Sequence, residues 1–317
     1  MNLPKNLKNI KGDASFRTFF RKKENRKSSI IVYAKKEKKK NLLIYDAINK
    51  ILIRNNILAP TLVIENYSKN FIEIEDFGDQ TIYKTFKNKK INQFLIFKKI
   101  IFLLKKIQLI KDKKIKNFKN KEYLIPNYNV KILLDEAKLF SNWYAYKKLS
   151  KKKYLNFKKE YEKIVKNLAK KIKLKNDVFV HRDFHVSNLM IIKNEIGVID
   201  TQDALIGNKA YDLASLIDDV RFKTSYELKD KIFKLFICQQ KKLNIKKFKN
   251  DFEIISVLRN LKIIGIFTRL AVRDNKRKYL KLIPYAWSLI KLRTKDNKLF
   301  EDLNNLLFKT FNKKLKI

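Results

Sequence analysis

At 317 residues the chain can bury about 75% of its unfolded surface, and with 45% hydrophobic and 12% aromatic residues it is no disordered tail. A single cysteine, Cys238, excludes an intramolecular disulfide and a cysteine zinc site, and points to a reducing cytoplasm. The formal charge of +44 arises from 75 Lys+Arg against 31 Asp+Glu. Its cations are mostly lysines spread along the whole length, whereas bidentate reading of phosphates and bases favours arginine. The charge therefore reads as solvated faces, with no specific nucleic-acid partner.

The opening "MNLPKNLKNIKGD" has no apolar core of signal-peptide length. Short strand-like segments follow from Ser15 to about Phe77: "SFRTFFR", "SSIIVYAKK", "TLVIENY" and "NFIEIEDFG". Between them "NLLIYDAINKILIRNNI" carries a helical pattern. The segment "EDFGD" at Glu75–Asp79 marks a hinge, and past Gly78 the character changes. Helical patterns cover about Ile91 to Ile110, Val130 to Leu149, Tyr154 to Ile172, Ala210 to Val220, Tyr226 to Leu243 and Phe252 to Leu270. The most apolar of these, "FLIFKKIIFLLKKIQLI", is cut twice by Lys-Lys and reads as an amphipathic or buried helix, with no membrane span. Two regions result: 1–77, small and strand-rich, and 78–317, mainly helical.

One stretch interrupts the helices. "VFVHRDFHVSNLMIIKNEIGVIDTQDA", Val178 to Ala204, contains both histidines of the chain and three aspartates, with short strands "NLMII" and "IGVID" joined by the turn "KNE". The bland reading is a pair of strands with ordinary turn carboxylates. The sharper one is phosphoryl transfer, in which a carboxylate orients the attacking alcohol and oxygen ligands hold magnesium against the phosphates. Asp183 and Asn188 reproduce the kinase catalytic-loop spacing of Asp, four residues, then Asn. Asp200 ends the second strand, where kinases carry their metal aspartate.

The segments "HRDFHVSNLMI", "GVIDTQDA" and "AYDLASLIDDVR" resemble the aminoglycoside-phosphotransferase and choline-kinase superfamily, and within it the bacterial anomeric N-acetylmuramate/N-acetylglucosamine kinases of cell-wall sugar recycling. "GDASFRTFFR", "IEIEDFGD" and "LLDEAKLFSNWY" extend the likeness over most of the chain. The resemblance implies an α+β, two-lobe protein-kinase-like fold, with ATP and Mg2+ as cofactors and a small-molecule acceptor, an amino sugar. In it Asp183 is the catalytic base and Asn188 and Asp200 are the metal ligands. Ser15, Phe16 and Arg17 would cradle the nucleotide phosphates, Lys35 or Arg17 would pair with them, and hinge backbone around Glu75 to Phe77 would hold the adenine. Asp46 is the nearest acidic helix partner for a lysine at position 35.

His181 reads as a brace of the loop. His185 either approaches the phosphate or packs, and Asp203 contacts substrate or supports the metal. Glu136, Phe140 and Trp143 stand at helical spacing. They are either core or a sugar platform, the ring stacking on the sugar face while Glu136 takes its hydroxyls. Choline, homoserine or aminoglycoside kinases share the catalytic stretch, and a basic nucleic-acid-binding pseudokinase is the non-enzyme alternative. The oligomeric state stays open, a monomer being allowed.

Overall fold

The β-branched run in "KSSIIVY" suits a strand, and the structure, a computed structural model describing residues 7–10, 17–24, 27–88 and 91–311, pairs it on both edges. Strands β1 (Leu7–Ile10), β2 (Thr18–Glu24) and β3 (Lys27–Tyr33) are antiparallel neighbours. Helix α1 (Lys40–Arg54) follows, then β4 (Leu62–Asn66) and β5 (Phe71–Glu75). The sheet order is β1-β2-β3-β5-β4. Val32, Ala34, Ile72 and Ile74 form one core cluster with Leu42 and Tyr45 of α1. Full burial of each Val, Leu or Ile there contributes about 1.5–3 kcal/mol. A bulge between Leu62 and Ile64 breaks the register of the edge strand β4.

Helices α2 (Ile82–Asn88) and α3 (Gln93–Gln108) come next, then the short strands β6 (Lys114–Lys116) and β7 (Glu122–Leu124). Beyond them run α4 (Val130–Leu139), a π-helical turn at Phe140–Ala145, the single turn α5 (Tyr146–Lys148) and α6 (Lys151–Lys170). Then come β8 (Asn176–Val180), the hairpin β9 (Leu189–Ile192) and β10 (Glu195–Val198), and β11 (Leu205–Asn208). Helices α7 (Ala210–Ile217), α8 (Tyr226–Cys238), α9 (Ile245–Val272), α10 (Ile283–Thr294) and α11 (Glu301–Phe311) complete the chain. Asparagines cap three of these helices: Asn92, Asn129 and Asn244 accept from Phe94, Ile132 and Lys247 N–H groups. Each such cap contributes about 1 kcal/mol.

Two compact units emerge, 1–126 with 178–206 and 127–177 with 207–317. The stretch 178–206 thus belongs with the N-terminal sheet, and 78–126 goes with it, so the units do not divide at Phe77 as the lobes expected from the sequence do. In the second unit Phe140 is fully buried among Tyr144, Phe157, Tyr161, Trp287 and Phe311, with ring centroids 5.2 to 6.1 Å away. Helix α9, about 42 Å long at 1.5 Å per residue, crosses this region at Gly265. A Cβ there would stand 2.3 Å from the Leu139 carbonyl, so the one glycine inside a helical pattern permits a backbone contact. The periodicity of "IPYAWSLIKLRT" did not announce α10, because its apolar residues surround the helix.

Candidate active site

The hairpin β9–β10 builds the site. Its two-residue loop, Lys193 and Asn194, has φ of 45° and 70°, the double left-handed turn that matches strand twist and that asparagine accepts. Register pairs Leu189 with Val198, and the Ile199 N–H donates to the Asn188 carbonyl at 3.1 Å. That ladder brings Asn188 and Asp200, twelve positions apart in sequence, to the same open end. The strands also lie close to Phe77: a Cβ on Gly197 would meet Ile192 Cδ1 at 2.7 Å and Phe77 Cε2 at 2.9 Å. Val198 N–H donates to the Leu58 carbonyl, and Ile191 N–H to that of Gln80.

Asp183 sits in a turn whose backbone carbonyl accepts from the His185 N–H at 3.1 Å and from Asn188 Nδ2 at 3.1 Å. The second bond orients the Asn188 amide and leaves Oδ1 as an acceptor. His181, fully buried, has Nε2 3.1 Å from the Ile199 carbonyl oxygen, so that nitrogen donates and the ring braces the loop. His185 is buried beside it. Besides Lys193 and Asn194 of the hairpin loop, two residues of the stretch are left-handed without being glycine: Arg182 at φ 72° and Asp200 at φ 64°. Strain of this kind costs about 1–3 kcal/mol per residue and persists where surrounding structure holds it.

Asp200 shows what holds it. Its Oδ1 accepts from Arg17 Nη2 at 2.5 Å, while Arg17 Nη1 donates to Gln202 Oε1 at 2.5 Å. Arg17 is buried, its guanidinium 5.5 Å from the Phe19 ring and 5.6 Å from that of Tyr45. Burial pushes the Tyr45 hydroxyl up to about 12, so the ring meets this cation as a neutral phenol. Thr201 donates to Asn49 Oδ1 at 2.5 Å, and Asn49 Nδ2 to the Pro60 carbonyl at 2.9 Å, anchoring the stretch to α1. Oδ2 of Asp200 has no hydrogen-bond partner among the described residues, and the side chain is 33% exposed.

A carboxylate oxygen and an amide oxygen, both open, form a donor set that fits Mg2+, which takes one or two protein oxygens and fills the rest with water and phosphate. Among the described residues no group of three or more His, Cys, Asp or Glu side chains forms a complete metal cage.

Other expected residues fall elsewhere. Lys35 lies beyond the end of β3, which stops at Tyr33, and its side chain is exposed. Asp46 does not pair with it: the carboxylate binds Lys50 at 2.9 Å and the Phe118 N–H at 2.7 Å, and burial pushes it up. Glu75 is exposed and accepts from the Thr61 hydroxyl at 2.9 Å, and Phe77 is half-buried. Asp203 is exposed and accepts from Gln202 Nε2 at 2.7 Å. Ser15 and Phe16 lie outside the described residues, as does Gly12.

In the second unit Glu136 is engaged by Tyr128 at 2.8 Å, Lys262 at 2.9 Å and Tyr211 at 3.3 Å. Phe140 belongs to the core, while Trp143 is half-buried. The helical spacing that would align the three assumes 3.6 residues per turn, and the π turn beginning at Phe140 breaks it.

Sequence reasoning missed the network around Asp76. Arg21 pairs with Asp76 at 2.6 Å and Asp79 at 2.8 Å, and Asp76 also accepts from Ser28 at 2.5 Å and the Gly78 N–H at 2.8 Å. Gly78 itself has φ 78°. Gln202 was missed too; only the partnership with Arg17, 185 positions away, reveals it.

Comparisons with known proteins bear on the family and the fold. The N-acetylmuramate/N-acetylglucosamine kinase of Neisseria meningitidis serogroup B is 29% identical over 86% of this chain and 80% of its own. A choline/ethanolamine kinase family protein from Mesorhizobium loti superposes with TM-score 0.63 at 11% identity, covering 96% of this chain and 92% of that one. An amicoumacin kinase solved with AMP-PNP and Ca2+ gives TM-score 0.63 at 13% identity over 93% of this chain and 90% of its own. At such identities the structural likeness is one of fold, α+β and protein-kinase-like. Residues 6–234 match the model of the phosphotransferase enzyme family, and the chain belongs to that family.

Proposed function

We propose that the chain is an ATP-dependent kinase that phosphorylates a hydroxyl of an amino sugar, the anomeric hydroxyl of N-acetylmuramate or N-acetylglucosamine. That it is a small-molecule kinase follows from its family. The acceptor is inferred from the relatives' names. The observation that carries the mechanism is the convergence of Asp183, Asn188, Asp200 and Arg17 at one end of the β9–β10 hairpin.

In this reading Asp183 accepts a hydrogen bond from the sugar hydroxyl, aims its oxygen at the terminal phosphate, and takes the proton as the new oxygen–phosphorus bond forms and the bond from that phosphorus to the bridging oxygen breaks, releasing ADP. Asn188 and Asp200 would hold Mg2+, which when bound neutralises phosphate charge. Arg17 keeps Asp200 in its left-handed conformation and presents a buried cation next to the phosphate loop, which makes Arg17, in preference to the exposed Lys35, the phosphate contact. Ser15 and Phe16 would supply that loop. Backbone from Glu75 to Phe77 would hold the adenine, marking a hinge between lobes 1–77 and 78–317. His185 would approach the transferred phosphate, Asp203 would contact the substrate or support the metal, and Glu136 and Trp143 would take the sugar. A cytoplasmic place in cell-wall sugar recycling completes the proposal, with no specific nucleic-acid partner; no helix among the described residues is long and apolar enough to cross a membrane.

Incubation with ATP, magnesium and a panel of amino sugars, choline, homoserine and aminoglycosides, read by product mass, tests it. A singly phosphorylated amino sugar is expected. Product from choline, homoserine or an aminoglycoside alone would replace the acceptor, and no product from any would overturn the proposal.

A further inference from the structure

Arg17 is gripped by two unlike acceptors. Nη2 donates to the Asp200 carboxylate and Nη1 to the Gln202 amide oxygen, each at 2.5 Å. The rings of Phe19 and Tyr45 lie 5.5 and 5.6 Å from its guanidinium carbon. All of these residues belong to one compact unit. Bonds at two separate nitrogens fix both the plane and the in-plane angle of a guanidinium, whereas one bond alone permits it to pivot. Gln202 therefore supplies the second fixed point.

The amide can serve in one orientation only. Its Nε2 donates to Asp203 Oδ2 at 2.7 Å. Turned over, it would set donor against donor at Arg17 and acceptor against acceptor at Asp203, so the Asp203 carboxylate selects the orientation in which Oε1 faces the arginine. Gln202 is 5% exposed, and a buried amide engaged at both ends is held in place. Charge explains why the acceptor is an amide. A carboxylate at position 202 would set a second anion beside Asp200 against the one cation, compete with phosphate for it, and lie against Asp203 as a like charge. A neutral acceptor holds the guanidinium without drawing on its charge.

We propose that Gln202 is a positioning residue for nucleotide binding: it aims Arg17 at the phosphates without touching them itself, and Asp203 sets its amide. The inference rests on the reading of Arg17 as the phosphate contact.

The test is a cycle of Arg17→Ala, Gln202→Met and the double variant. Each is titrated calorimetrically with magnesium ADP, a readout independent of the acceptor, and assayed with N-acetylglucosamine for kcat and for the KM of magnesium ATP. Gln202→Met keeps the length of the side chain and loses both bonds. It should weaken nucleotide affinity and raise that KM about fivefold, the scale of one hydrogen bond, with kcat changed by less than about twofold. In the double variant the affinity should match that of Arg17→Ala alone, because a residue that acts through Arg17 then has nothing to aim. Gln202→Glu keeps the shape and the acceptor, serves if the methionine variant does not fold, and should also weaken the nucleotide, again only while Arg17 is present. Unchanged affinity in the variants at position 202, or losses that multiply in the double variant, overturns the inference and leaves Arg17 as the phosphate contact. If Arg17→Ala itself leaves the affinity unchanged, the phosphate reading and the inference fall together.

Discussion

Asp200 and Asp218 are both carboxylates held by arginine, one in each unit, and they are held differently. Asp218 is fully buried, with Oδ1 taken by Arg293 and Lys229 and Oδ2 by Arg293 and the Ser256 hydroxyl. Burial works against its ionisation, but Arg293 and Lys229 outweigh it and hold the carboxyl below the usual range. Asp200 gives one oxygen to Arg17, leaves the other open, is a third exposed, and adopts a left-handed backbone. A carboxylate whose every lone pair is used can only stabilise the fold. One left half-satisfied, at a cost in strain, is available for chemistry.

The first way to break that contrast is at the group proposed to do the chemistry. Asp183→Asn removes proton acceptance and touches no metal ligand, so kcat should fall about a hundred- to ten-thousandfold while nucleotide affinity stays close to wild type. Steady-state kinetics beside a calorimetric nucleotide titration measures both, and a variant that keeps most of its turnover would remove Asp183 from the mechanism.

The two arginine-bound carboxylates can then be exchanged as probes. Asp218→Ala strands Arg293 and Lys229 in the interior and should cost about 3–5 kcal/mol in denaturant unfolding, the range for one partner lost from a buried pair. Asp200→Ala should cost much less in unfolding but weaken binding of the magnesium nucleotide, since it deletes an anionic oxygen ligand. If Asp200→Ala proved the more damaging to stability, the contrast drawn between the two would be wrong.

A third substitution pair sharpens the account of the phosphate cation. Arg17→Ala should reduce affinity for the magnesium nucleotide about tenfold, both by losing a charged contact and by freeing Asp200 from its strained conformation. Lys35→Ala, at an exposed site past the end of β3, should change it by less than about twofold. Equal effects would return Lys35 to the site.

The sequence made the hairpin legible because everything in it is local: the Asp183 to Asn188 spacing, the two short strands and the "KNE" turn lie within eighteen positions. Four of the five strands of the N-terminal sheet and most long helices were legible from periodicity for the same reason, whereas β1, Leu7–Ile10, was not. What was hidden depends on residues distant in the chain. The Arg17 to Asp200 pair spans 183 positions and Arg293 to Asp218 spans 75, and neither leaves a periodic trace. Lysine abundance also misled, since "YAKK" looks like the phosphate-pairing strand of a kinase although the strand stops before the lysine. Glu136 and Trp143 were placed on one face by an α-helical period that the π turn interrupts.

The smallest effect lies around Asp76, where the contrast between taken and open oxygens can be read by pH. Asp76 accepts from Arg21, Ser28 and the Gly78 N–H. Burial alone would raise its carboxyl, but these donors hold it below the usual range. A carboxyl whose pKa is lower in the folded chain than the unfolded value of about 3.9 stabilises through its ionised form. That contribution is complete well above pH 4 and is lost as pH falls through the unfolded and then the folded pKa. Asp76→Asn should therefore be less stable than wild type at neutral pH, and the two should converge in acid. Asp79 shares Arg21, and that contact lowers its carboxyl too, but its side chain is 68% exposed and water screens the pair. Asp79→Asn should accordingly shift the unfolding midpoint much less at every pH. Midpoints measured by thermal unfolding from pH 7 down to about 3 would decide the matter, because a gap for Asp76→Asn that widens in acid, or one matched by Asp79→Asn, would mean that the buried donors around Asp76 do not set its charge.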